Sequence, residues 1–140
     1  PIYLMIQYLI VILGNDGNVS PLVTTDGNKR IFPSRYNFPT QSKLPYITYQ
    51  MVADIPNNTK NGVSEYDYVT VQISMYHNNY ADLVALAGHV RTALDYVSGT
   101  YSGVVVDKIF YESQDELYDD SAGSLGFYGI RQDYRFNINR

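Results

Sequence analysis

Two rhythms of apolar positions run along this chain, one near three and a half residues and one of two, and the changes between them mark its elements. Residues 3–13 place Met5, Tyr8, Leu9 and Ile12 at helical spacing, and Gly14-Asn15 supplies a stop, since both residues tolerate left-handed φ. Residues 15–45 then carry Pro21, Pro33, Pro39 and Pro45 together with Gly17 and Gly27. Proline at that density breaks continuous helix and central strand, so this stretch is predicted as a long polar connection. In residues 46–53, Ile47, Tyr49 and Met51 alternate with Thr48 and Gln50, the period of a half-buried strand.

The cleanest strand pattern follows a polar loop at residues 55–64, whose Asn61-Gly62 is a strong turn signal. In residues 66–76, Val69, Val71, Ile73 and Met75 alternate with Thr70, Gln72 and Ser74, so the two strands form a long hairpin. Asn78 or Asn79 caps a helix whose apolar set is Leu83, Val84, Ala87, Val90, Leu94 and Val97, and Gly99 is predicted to end it. Asp82, His89 and Thr92 take its opposite face, with Arg91 and Asp95 at the margin. Residues 104–111 alternate as a strand, with Val104, Val106, Lys108 and Phe110 against Val105, Asp107, Ile109 and Tyr111. A break is predicted at residues 119–126. The last strand, residues 127–138, puts Ile130, Tyr134, Phe136 and Ile138 on one face and Arg131, Asp133 and Arg135 on the other. Helix, hairpin, helix and two strands make an α+β fold: a mainly antiparallel sheet with two packed helices and polar loops.

Length and charge narrow the function. The 140 residues suit one domain, residues 1–140, with one core. Ten Lys/Arg against fourteen Asp/Glu leave a formal charge of −4, the wrong sign for a chain that grips nucleic acid through its phosphates. Without cysteine there is neither a disulfide framework nor a thiolate zinc site. The apolar N-terminal run is too short to span a bilayer and lacks the basic start of a signal peptide. Fifteen Tyr and five Phe suit surfaces that are buried on one side and wet on the other, although a β-rich fold also favours aromatics.

Candidate chemistry is sparse. Residues 112–120 hold five carboxylates (Glu112, Asp115, Glu116, Asp119 and Asp120) and no base, which suits a divalent cation. Their spacing fits no calcium loop, and a solvated strand end is the plainer reading. His77 and His89 lack a neighbouring nucleophile and orienting carboxylate in sequence, there is no nucleophile elbow, and both read as surface residues. No glycine-rich phosphate loop occurs. Lys29, Arg30 and Arg35 form a small basic group that suits a phosphate or an acidic partner, or simply solubility. No catalytic residue, metal site or cofactor is expected.

In order and spacing, the chain resembles the tail-completion, or tail-terminator, proteins of long-tailed bacteriophages. The resemblance rests on MIQYLIVILGND (residues 5–16), RIFPSRYNFPTQSKLPYITYQ (30–50), the loop ending in Asn61-Gly62, the strand YDYVTVQISMY (66–76), the helix ADLVALAGHVRTALD (81–95) and the last two strands. It implies a structural virion protein assembled in the host cytoplasm as a ring, usually of six copies. That ring would sit on the last tail-tube ring, stop tube growth and face the head connector or stopper protein, with a sheath protein as a further partner in a contractile tail. DNA would pass through its lumen without specific binding. The resemblance implies no enzymatic role. Residues 115–126 are longer than the family pattern.

Ring formation needs one patch that meets a different patch on the next copy. The polar stretches 15–45, 56–64 and 113–126 are the expected arms, with Lys29, Arg30, Arg35, Asn57, Asn58, Lys60 and Asn61 as interface candidates. At least two of the three are expected to be ordered only in the assembly. Asp115, Glu116, Asp119 and Asp120 are the candidates for a lumen that repels phosphate. The alternatives are a neighbouring neck protein, either head-tail adaptor or stopper, and a small-molecule or carbohydrate-binding module that uses the tyrosine-rich strands.

Overall fold

The computed structural model describes residues 2–25, 28–29, 31–33, 46–56, 66–77, 79–119 and 127–139. Helix α1 (Ile2–Asn15) is followed by a single turn, α2 (Ser20–Val23), and three short strands, β1 (Thr24–Thr25), β2 (Asn28–Lys29) and β3 (Ile31–Pro33). Then come β4 (Tyr46–Pro56), β5 (Tyr66–His77), helix α3 (Tyr80–Leu94), β6 (Gly99–Tyr101), β7 (Val104–Asp119) and β8 (Phe127–Asn139). The main sheet has the order β3-β4-β5-β8-β7-β6; β3 pairs parallel to β4 and every other pair is antiparallel. The predicted α+β architecture and long β4–β5 hairpin are therefore present.

Alternation puts Val69, Val71, Ile73 and Met75 of β5 beside Phe136, Tyr134, Gln132 and Ile130 of β8, all on one face. That face is covered by α3, which contributes Leu83, Leu86, Ala87, Val90 and Leu94, and by α1, which contributes Met5, Leu9 and Leu13. Asn79 caps α3 by accepting a hydrogen bond from the Asp82 amide at 3.2 Å. The opposite face of the sheet carries no helix among the described residues.

Several sequence expectations are corrected. Residues 15–45 do not form one structureless connection: Asp16 turns the chain by accepting hydrogen bonds from the Asn18 and Val19 amides, and α2 and β1 to β3 follow. Strand β7 does not end near residue 111 but continues to Asp119, so the acidic stretch, read as a solvated strand end, and residues 113–119, read as an arm, are paired strand. Bulges between Val106 and Lys108 and between Tyr111 and Ser113 shift its phase, so Val106 and Ile109 share the core face. On α3, Val84 is exposed and Leu86 is buried in its place. Gly99 does not end α3; the helix stops at Leu94, and Tyr96 takes the positive φ of 63° that turns the chain out.

Gly99 instead lies at the start of β6 under the Tyr8 hydroxyl, where a β-carbon would collide with that oxygen. Tyr8 is held by its stack on Tyr101, with ring centres 5.8 Å apart. We expect Gly99→Ala to lower stability by about 1–3 kcal/mol through overpacking, measured by denaturant unfolding. An unchanged midpoint would show that α1 does not press on β6.

Candidate assembly surfaces

The helix-free face of the sheet is polar and aromatic because the alternation that buries Ile130, Tyr134 and Phe136 turns Arg131, Asp133 and Arg135 outward. Asp133 accepts from Ser113 Oγ at 3.1 Å and from Gln72 Nε2 at 3.4 Å. The Arg135 guanidinium lies 4.9 Å from the centre of the Phe110 ring and 5.6 Å from that of Tyr68, a cation held between two aromatic rings. Tyr96 meets Phe110 edge-on, and Tyr46 meets Tyr76. Charges along β8 on this face alternate in sign: Arg131, Asp133 and Arg135.

The predicted acidic residues do not form one patch. As consecutive strand residues, Asp115 and Glu116 project to opposite faces. On the helix-free face, Asp115 takes a two-pronged pair from Arg131 through Nε and Nη2. On the helix-bearing face, Glu116 accepts from the Tyr80 hydroxyl at 2.6 Å, which holds the Tyr80 pKa above its ordinary value. Asp119 ends β7, and Asp120 lies outside the described residues. Among the basic and loop candidates, Lys29 lies in β2; Arg30, Arg35, Asn57, Asn58, Lys60 and Asn61 lie outside the described residues.

The hydrogen bonds from Arg131 hold the Asp115 carboxyl below the usual carboxylate range. A lowered folded-state pKa means that the pair contributes above about pH 4, where an unfolded Asp is ionised, and that this contribution fades as pH falls through the folded value. Both groups are well exposed, so salt screens the effect. We therefore expect wild type to be more stable than Asp115→Asn near neutrality and low salt, with the gap closing in acid and in high salt. Thermal melts across pH would show it; a gap that stays constant through acid contradicts the pairing.

His77 and His89, separated in sequence, line one shallow cleft of about 250 Å³ with Asp82, Leu22, Ala85 and Leu86. His77 Nε2 stands 3.9 Å from Asp82 Oδ2. The cleft joins the end of β5 to the first turns of α3, a proximity that strand-to-helix spacing alone did not reveal. Among the described residues no three His, Asp or Glu side chains are grouped to hold a metal ion. No described helix is long and apolar enough to cross a membrane.

In the comparison with protein families, residues 7–138 fit the tail completion protein gp17 family. The chain belongs to that family. This tail completion protein is thus a structural protein of the phage virion, located in the tail, and its family is not one of enzymes. Its fold is similar to that of a chain from the virion of a native gene transfer agent particle, with a TM-score of 0.73 at 16% sequence identity, covering 94% of this chain and 92% of that one. Among curated proteins no match was found. The resemblance read from the sequence, which rested on the order of its elements, is borne out by the family.

Proposed function

We propose that this tail completion protein forms a ring of six copies at the head-proximal end of the tail, where it stops tube growth and joins the tail to the head connector. The observation that carries this reading is the family match along residues 7–138. The similarity to a chain from a gene transfer agent virion supports a place in a phage-like particle beside other tail and head proteins. The partners are further copies of the chain, the tail-tube protein, the connector or stopper and, in a contractile tail, the sheath protein.

The helix-free face turns to the lumen in this proposal. Arg131 is paired with Asp115, Asp133 accepts from Ser113, and Arg135 is held against aromatic rings, so DNA meets a face of mixed sign and slides past. Of the four acidic lumen candidates, Asp115 shares that face, whereas Glu116 does not. Asp115→Arg would set two guanidinium groups side by side, and we expect particles carrying it to release DNA more slowly. Release at the wild-type rate, measured on triggered particles, contradicts the lumen assignment.

The ring itself is tested with growing tail tubes. Purified chain added during elongation should halt growth and remain on one end. Tubes that lengthen at an unchanged rate overturn the reading.

A further inference from the structure

The two edges of the sheet differ in a way that suggests how copies join. On one side, β6 pairs with β7 only from Val104 to Val106. Residues 96 and 97 then take over: the Tyr96 amide donates to the Ile109 carbonyl at 2.8 Å, and the Ile109 amide donates to the Val97 carbonyl at 3.0 Å. The Tyr111 amide is taken by Asp95 Oδ1 at 3.2 Å. Beyond that point, no strand pairs with the outer edge of β7 among the described residues.

Ile109 turns its amide and carbonyl outward, so Ile109 and Phe136 are a pair without mutual backbone bonds. Such pairs recur at every second position, and the register carries the pattern through Tyr134 and Tyr111 to Gln132 with Gln114 and Ile130 with Glu116. The amides of Gln114 and Glu116 therefore face outward from a strand edge with exposed side chains, a template for another strand.

Resting on the ring reading, we infer that the sheet continues from one copy to the next, with the β3 edge of a second copy of this chain docking on β7 at residues 113–119. Three observations favour this occupant. First, β3 is the opposite edge of the same sheet, so the contact is head-to-tail, as a ring requires. Second, the pairings along the sheet make β3 and β7 run in opposite directions, so the new pair is antiparallel. Third, the charges match. The β7 edge carries Glu112, Glu116 and Asp119 in addition to the Arg131-paired Asp115, whereas Lys29 of β2 precedes β3 and neither of those two strands carries an acid. Two β7 edges placed together would set like charges opposite one another, which disfavours a two-fold dimer. Pro33, which has no amide hydrogen, keeps the β3 edge short.

Residue-resolved amide hydrogen exchange on the full chain, as free subunit and as ring on tail tubes, tests the inference. The amides of Gln114 and Glu116 should slow at least tenfold in the ring. A ring in which both exchange as in the free subunit overturns the edge contact and leaves the ring reading standing. A chain that forms no ring, alone or on tubes, overturns both. A second arm uses charge. Lys29→Glu alone and the double variant Glu112→Lys/Glu116→Lys alone should each assemble at least tenfold more weakly, and an equimolar mixture should recover assembly by alternating around the ring. Two folded variants that assemble as well as wild type overturn the inference.

Discussion

Replacing Phe136 with alanine should remove about 3–5 kcal/mol of stability, the largest loss expected from any single truncation in this chain. Phe136 is fully buried on the helix-bearing face of β8, beside Val69 of β5 and Ile109 of β7. It belongs to the core cluster shared by the sheet, α1 and α3. Truncation forfeits the transfer energy of the ring and leaves a cavity between strands whose backbone ladders resist collapse. Against a typical total of about 5–15 kcal/mol, the variant should melt on the order of 10 °C or more below wild type. Phe136→Leu, which keeps most of the volume, should lose much less. Circular dichroism melts of the three chains check this; a loss under about 1 kcal/mol for the alanine variant would mean that the helices do not pack on the sheet as described.

Gln132→Ala should cost roughly 2–4 kcal/mol, adding lost packing to a stranded polar group. Gln132 faces the core with 1% of its surface exposed. Its Nε2 donates to the Ala87 carbonyl of α3 at 3.2 Å and to Gln114 Oε1 of β7 at 2.9 Å. Its Oε1 accepts from the Tyr134 hydroxyl at 2.7 Å. Burial holds the Tyr134 pKa well above its ordinary value, so that hydroxyl remains a donor throughout the working pH range. Removing Gln132 leaves it buried with no acceptor at its present place. Adding Tyr134→Phe to Gln132→Ala removes the stranded group, so the double variant should be more stable than the sum of the single losses predicts. Strict additivity in a denaturant cycle would contradict the network.

The elements that sequence revealed were those with an unbroken period. The alternation in residues 66–76 and in the last strand identified the core faces of β5 and β8 because neither strand contains a bulge in their pairing. Strand β7 was legible only in part. Its two bulges change which side chains face the core, so an apolar alternation read straight through pairs Val106 with Lys108 rather than with Ile109. The acidic run concealed the rest of the strand, since charge usually marks an end and here marks an exposed edge. Gln132 escaped notice because a polar residue on an apolar face shows its value only when its partners on α3 and β7 are known. Residues 31–33 and 113–119 lie far apart in sequence, and only strand order shows that β3 is one edge of the sheet and β7 lies toward the other.

Electron microscopy of isolated tails mixed with the purified protein tests the central claim most directly. The account predicts a closed ring of identical subunits on one end of each tube. Bare tube ends, or protein scattered along the tube wall, would contradict it.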